Sequence, residues 1–167
     1  MESVNTVPDL EIRPATEKDA ALILSFIKEL AEYERLSHEV VATEEILRET
    51  LFENSYGTEV VIAYLKETPV GFALYFHNYS TFLGRSGIYL EDLYVRPEHR
   101  GKGVGRELLV YVAQVARERD CGRLEWSVLD WNEPAIKFYR KLGANPLDEW
   151  TTFRVTGEAL DRLAGES

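Results

Sequence analysis

With 167 residues, 45% of them hydrophobic, the chain is expected to form one globular domain over residues 11–167, behind a loose leader over residues 1–10. Twenty-nine acidic against 19 basic residues give a net charge of −10, which argues against a nucleic-acid surface and favours solubility or small cationic partners. The single cysteine, Cys121, excludes an intrachain disulfide framework and a cysteine metal cluster. No stretch approaches membrane-spanning length, so a reducing, cytoplasmic setting is the expectation.

Glu11-Ile12-Arg13 reads as a short strand stopped by Pro14. Thr16-Glu17-Lys18-Asp19 has the form of a helix-opening capping box, and Leu22, Ile23, Phe26, Ile27, Leu30 and Ala31 then recur on one helical face as far as Tyr33-Glu34. Thr43, followed by Glu44 and Glu45, caps a second helix to about Phe52, and 54–57 form a turn. The β-rich runs 59–65 and 70–76 predict a hairpin joined by 66–69, and 77–87 reads as a polar connection.

An apolar strand over 88–95 stops at Arg96-Pro97. Gly101, Gly103 and Gly105 then open a helix with Val104, Leu108, Leu109, Val112, Val115 and Ala116 on one face and Glu107, Gln114, Arg117 and Glu118 on the other. A strand over 123–129 must run parallel to the preceding one, because a helix crosses over between them. Asn132-Glu133-Pro134 starts a helix to about Leu142 with Gly143 as its C-cap, 149–155 supplies a last strand, and 156–163 a small terminal helix. The fold class is α/β: a mixed central sheet with flanking helices.

The strand–glycine loop–helix unit carries the main chemical signal. Glycines allow positive φ and close approach of a ligand to the main chain, and the first N–H groups of a helix lack internal partners and attract anions. Arg100, Lys102 and Arg106 bring positive charge to the same turn of an otherwise acidic chain. Walker A and dinucleotide fingerprints are excluded by spacing, since Lys102 is followed by Gly103 and the third glycine position is Arg106. The loop reads either as an anion cradle or as a structural turn.

Arg100-x-x-Gly103-x-Gly105 after a strand resembles the acetyl-CoA pyrophosphate loop of the GCN5-related N-acetyltransferases (GNAT superfamily). Asn132-x-x-Ala135-x-x-Phe138-Tyr139-x-x-x-Gly143 is similar to that superfamily's second acetyl-CoA motif. Ile12-Arg13-Pro14-Ala15-Thr16, Lys28 to Glu34, Tyr89-Leu90-Glu91-Asp92 and Trp131-Asn132-Glu133-Pro134 resemble the diamine acetyltransferase branch, the spermidine/spermine enzymes and their thialysine-acetylating relatives. The likeness covers about 12–153, and departs from the pattern in the leader, over 79–87 and in the shortened stretch 145–150.

The resemblance implies a GNAT fold with a splayed pair of parallel strands, acetyl-CoA as co-substrate, no metal, a small cationic amine as acceptor and a homodimer. It implies donor contacts from Leu93, Tyr94, Val95, Arg100, Gly101, Lys102, Gly103, Val104, Gly105, Arg106, Asn132, Glu133, Pro134, Ala135 and Leu142. It implies an amine pocket from Tyr33, Glu34, Glu91, Glu125, Trp126 and Ser127, with carboxylates for ammonium groups and aromatic faces for cation–π contact. An alkylamine of pKa about 10.4 is neutral in fewer than about one molecule in a thousand at pH 7, so a base is needed. Glu91 fills that role, acting through a water; strand alternation would set it opposite Asp92. Backbone N–H groups around 93–95 are expected to stabilise the oxyanion, and Tyr139 to protonate the leaving thiolate.

Read as residues alone, Tyr139 could equally pack beside Phe138, Asn132 cap its helix, and Glu34 and Glu125 be solvated charges. His38, His77 and His99 have no metal-ligand spacing. The expected activity is acetyl transfer from acetyl-CoA to a diamine or polyamine. The alternatives are thialysine or another amino-acid or protein lysine as acceptor, and a non-catalytic acyl-CoA-binding regulatory module.

Overall fold

A five-stranded mixed sheet in the order β1-β2-β3-β4-β5 organises the first part of the chain in the computed structural model, which describes residues 7–165. The strands are β1 Leu10–Pro14, β2 Glu59–Leu65, β3 Thr68–Ser80, β4 Arg85–Val95 and β5 Leu124–Trp126. The first three pairings are antiparallel and β4–β5 is parallel. The chain divides into two compact units, Met1–Ser127 and Val128–Ser167.

In the first unit, helix α1 (Ala20–Tyr33) begins where expected. The Asp19 carboxylate accepts from the Thr16 backbone N–H at 2.8 Å, the reciprocal half of a capping box. Thr43 accepts from Ile46 N at 3.2 Å to open α2 (Glu44–Arg48), which runs on as a π-helical turn over Glu49–Glu53. Ile23 and Phe26 of α1 and Leu47 of α2 are buried against Val60, Ile62, Phe72 and Tyr94 of the sheet. Phe26 stacks on Phe72 at 5.2 Å between ring centroids and meets Tyr94 edge-on at 6.4 Å. Each such fully buried ring contributes roughly 1.5–3 kcal/mol.

The other apolar stripe of the unit belongs to α3 (Val104–Glu118), which packs on β3 and β4 through Val104, Leu108, Leu109, Val112 and Ala116. Glu107, expected on its polar face, is buried instead. It sits in the first turn, where the helix dipole favours a carboxylate, with Arg106 Nη1 3.8 Å from Oε1.

Several expected boundaries move. The β2–β3 turn is only Lys66-Glu67, both with positive φ (47° and 71°), the primed geometry that suits the twist of a tight hairpin; Leu65 pairs directly with Thr68. The polar connection expected over 77–87 is an extension of the β3–β4 hairpin, with His77 opposite Ile88 and Asn78 opposite Gly87. Val7 and Leu10, assigned to the loose leader, are buried; residues 1–6 of that leader lie outside the described residues.

In the second unit, α4 (Glu133–Lys141) starts with Asn132 Oδ1 accepting from Ala135 N at 3.4 Å and Pro134 in the first turn. It ends before Gly143, whose φ of 94° is the left-handed conformation of a C-terminal cap. The strand expected over 149–155 is not formed: no ladder partner pairs that segment among the described residues, and apolar residues alone do not make a strand without a neighbour to accept their backbone bonds. Helix α5 (Gly157–Leu163) follows.

Candidate functional site

Strand β4 carries one residue too many for its partner. Leu74 pairs with Asp92 and Tyr75 with Leu90, so Glu91 is a bulge residue. Below it, Leu90 lies on the α3 face of the sheet with Tyr75; above it, Asp92 lies on the α1 face with Leu74 and Tyr94. Leu90 and Asp92, two positions apart, thus lie on opposite faces, so simple alternation does not run through Glu91.

Glu34, the C-cap residue of α1, completes a group of carboxylates with these two. Burial raises the Glu34 carboxyl and Glu91 raises it further. Burial pushes Asp92 up to about 7, and the negative charges of Glu91 and then Glu34 add to the effect. All of these influences act in one direction: each disfavours charge on the carboxyls, and a cation entering the cluster would reverse them.

Beyond Leu90, β4 has no pairing with β5, because that ladder covers only Ile88, Tyr89 and Leu90. The edge from Glu91 to Val95, including Leu93, Tyr94 and Val95, therefore offers backbone groups that β5 does not use. The strand ends in a firm anchorage. Arg96 donates from Nε and Nη2 to the Glu29 carboxylate at 3.2 Å each, from Nη2 to Ser25 Oγ at 3.3 Å and from Nη1 to Pro69 O at 3.2 Å, with its guanidinium 4.6 Å from the Phe26 ring centroid. Arg100 Nε donates to Val95 O at 2.8 Å, and its guanidinium lies 4.9 Å from the Tyr33 centroid and 5.4 Å from that of Tyr94.

Gly101 and Gly103 follow, with φ of 79° and 92°, in the region that other residues enter only with strain. A methyl on Gly101 would touch nothing, and one on Gly105, inside the helix, would meet only Val95 Cγ2 at 3.6 Å. Packing within the chain does not explain glycine at either place. The backbone N–H groups of Val104, Gly105 and Arg106 open α3, and Lys102 and Arg106 are exposed beside them. At Gly103 a methyl would press on Val7 Cγ2 at 3.3 Å, so the room lies around Gly101; a glycine loop leading into a helix start with adjacent cations is the kind of site that takes a pyrophosphate.

Other expected acceptor residues separate by register. Tyr89 pairs with Glu125 and Leu90 with Trp126. Glu125 and Ser127 therefore share the α1 face with Tyr89, whereas Trp126 lies on the opposite face with Leu90. Tyr89 OH and Ser127 Oγ are 2.6 Å apart, and Asn78 Nδ2 donates to Glu125 Oε1 at 3.2 Å. Tyr33, at the end of α1, is partly exposed beneath the Arg100 guanidinium. Asn78 and Asp92 carried no signal that marked them for the site, because register across three strands and a bulge brought them in.

The second motif lies in the second unit. Asn132 is buried and caps α4, Glu133, Pro134 and Ala135 form the first turn, Leu142 is its C-cap, and the Tyr139 ring lies 5.6 Å from Phe138 at 52°. No helix among the described residues is long and apolar enough to cross a membrane.

Residues 24–144 match the model of the acetyltransferase (GNAT) family. The chain is 44% identical over 166 residues to the thialysine N-epsilon-acetyltransferase of Bos taurus, covering 93% of this chain and 97% of the relative. It is 35% identical to the L-ornithine N5-acetyltransferase of Arabidopsis thaliana, covering 95% and 93%. Among solved structures, an integron cassette protein from the mobile metagenome of V. cholerae superposes with a TM-score of 0.79 at 29% identity, covering 95% of this chain and 99% of that one.

Proposed function

The chain belongs to the acetyltransferase (GNAT) family, and from that premise we propose that its acceptors are small aliphatic molecules with two amino groups, diamino acids and short diamines. It is an acetyl-CoA-dependent N-acetyltransferase of small amines. The group of Glu34, Glu91 and Asp92 carries the acceptor reading: carboxyls close enough to repel one another at the bulge gain charge balance from an arriving ammonium. Relatives named for thialysine and L-ornithine favour a diamino acid over a protein lysine.

In this reading Glu91 relays the ammonium proton to solvent through a water, which leaves the nitrogen lone pair free to attack the thioester carbonyl. The new C–N bond forms, the nitrogen gives up a second proton to solvent, the C–S bond breaks, and the oxyanion between these steps is stabilised by the β4 edge at 93–95. Asp92, whose ionisation burial and the neighbouring carboxylates oppose, limits the negative charge around the nucleophile. Arg100, Gly101, Lys102, Gly103, Val104, Gly105 and Arg106 hold the pyrophosphate through backbone N–H groups and charge. Following the family motif, Asn132, Glu133, Pro134, Ala135 and Leu142 contact the donor, and Tyr139 returns a proton to the departing thiolate. The protein acts as a homodimer.

Thiol release from acetyl-CoA, with products identified by mass spectrometry across a panel of diamino acids, diamines, monoamines and lysine peptides, tests the reading. Acetylated diamines or diamino acids as the main products would support it. Preferred acetylation of peptides would overturn the acceptor class, and thiol release no faster than hydrolysis with every amine would leave a binding module instead.

A further inference from the structure

We infer that Glu29 is a positioning residue for the transfer step: by holding Tyr94 and Arg96 it sets the angle at which the Val95 N–H meets the thioester oxygen. The inference rests on the acetyl-transfer reading, with the β4 edge as oxyanion donor, and names the side chain that aims that donor.

The phase of the ladder tells which groups the edge presents. Arg96 N donates to Val70 O at 2.8 Å and Tyr94 pairs with Phe72, so these alternate residues turn their N–H and C=O toward β3. Leu93 and Val95 turn theirs the other way, to the side that β5 leaves after Leu90. The Val95 C=O agrees with this phase, since it accepts from Arg100 Nε at 2.8 Å. The Val95 N–H is therefore the last donor of the strand on that side.

A strand paired along one side only is hinged on that ladder. Its free edge can swing slightly toward α1 or toward α3 while the ladder bonds persist, yet a catalytic donor must stand within about 0.5 Å and 10–20° of its productive position. Side chains have to close that angle. Val95 faces α3, where its Cγ2 lies 3.6 Å from the place of a methyl on Gly105. Tyr94 and Arg96, before and after it, rise to α1 and end on one carboxylate. Tyr94 OH donates to Glu29 Oε1 at 3.2 Å, and Arg96 donates from Nε to Oε1 and from Nη2 to Oε2 at the same distance. Two struts thus meet at one point of the helix, and the guanidinium fork fixes direction as well as length. Only 33% of the Glu29 side chain and 23% of that of Arg96 are exposed, so the pair is sheltered enough to hold a geometry that a surface ion pair would not. Glu29 acts through the strand, and its loss belongs to the rate of the chemical step rather than to binding.

The experiment compares wild type with Glu29→Gln, Tyr94→Phe and Glu59→Gln. The last breaks an ion pair of the same kind, with Arg119 at 2.6 and 2.8 Å on β2 and α3, and is the control for lost stability. Each folded protein is assayed for kcat and KM with acetyl-CoA and the amine of the panel above that wild type turns over fastest. Infrared spectroscopy of bound acetyl-CoA, isotopically labelled at the acetyl carbonyl carbon, reads the thioester C=O. Glu29→Gln keeps the side chain's shape and should lower kcat by about tenfold to a hundredfold, with both KM values within about threefold of wild type; losing an oxyanion donor altogether costs about 10²-fold to 10³-fold. Its carbonyl band should move to higher wavenumber, because a misaimed N–H polarises the C=O less. Tyr94→Phe removes one strut and leaves the fork, so both readouts should move the same way by less, and it decides the matter should Glu29→Gln fail to fold. Glu59→Gln should lose stability and keep its kcat. A normal kcat with an unmoved band in the Glu29 or Tyr94 variants, or a loss lying wholly in KM, would overturn the assignment, as would an equal fall in kcat for Glu59→Gln. If wild type acetylated no amine but Glu29→Gln still moved the band, the positioning would stand and the reaction assigned to the protein would fall. If no amine were acetylated and the band stayed in place, both would fall.

Discussion

Replacing Asp92 by Asn tests the electrostatics of the site without touching its shape. Burial, Glu91 and Glu34 push the Asp92 carboxyl up to about 7, against about 3.9 for an aspartate in an unfolded chain. The folded protein therefore holds more protons than the unfolded one between those values, and stability falls as pH rises from about 4 through about 7. A gap of about three pH units is worth about 4 kcal/mol at 1.36 kcal/mol each, an upper bound that solvent screening in a partly open site reduces to roughly 2–4 kcal/mol. Asparagine carries no such cost. Asp92→Asn should come nearest to wild type at pH 4.5, where about 1 kcal/mol of the gap is already present, and exceed it increasingly up to pH 8, by on the order of 10 °C in Tm for a chain of this length. Thermal unfolding of both proteins at half-unit steps from pH 4.5 to 8 measures the difference. A constant offset across that range would refute the argument, since it would mean that Asp92 ionises as freely in the folded chain as in the unfolded one.

Gly105→Ala should add up to about 1 kcal/mol of stability, and so raise Tm, since alanine is the better helix former and the methyl finds ordinary contact with Val95. Calorimetry should show weaker CoA binding by the same variant if the loop faces pyrophosphate. Tyr139→Phe should lower kcat by about 10²-fold to 10⁴-fold while the KM for acetyl-CoA stays near wild type, and a near-normal kcat would return the ring to a packing role. Glu29→Gln removes the charged partner of Arg96 and weakens the acceptor of the Tyr94 hydroxyl. Urea unfolding should then show a loss of about 1–3 kcal/mol with an unchanged m-value.

Local chemistry was legible in the sequence, and pairing between distant strands was not. The Thr16 and Thr43 helix starts, the Asn132 cap and the Gly143 stop depend on residues within a turn or two of one another, and each is where its composition put it. The misread stretches depend on partners elsewhere. Residues 77–87 look like a loop because they are polar, yet Asn78 bonds to Glu125, 47 positions away, and His77 Nδ1 to Gly87 O. Glu91 looks like one member of an alternating strand, and only the pairing with β3 reveals the extra residue. The resemblance singled out Glu34 and Glu91 as candidates; that Asp92 couples to both depends on the bulge and on the end of α1, which no local pattern reveals. The segment 149–155 shows the reverse error: its apolar residues suggest a strand, but a strand is a property of two segments, and no second one pairs with it among the described residues.

Arg96 and Arg100 give the molecule a mechanical economy. Both leave the main chain just after β4, on the way into the glycine loop; one is fastened to Glu29 and Ser25, the other lies over Tyr33, and all three of these partners belong to α1. The loop assigned to the donor and the helix end assigned to the acceptor are thus pinned to a common frame. Ordering by a ligand at one end removes freedom that a ligand at the other would otherwise have to remove itself. By thermodynamic reciprocity, any tightening of one substrate's binding by the other would be returned by the same factor. Were both sites those proposed, such a frame would favour the ternary complex over either half-filled state, and CoA affinity measured with and without a diamine would show it.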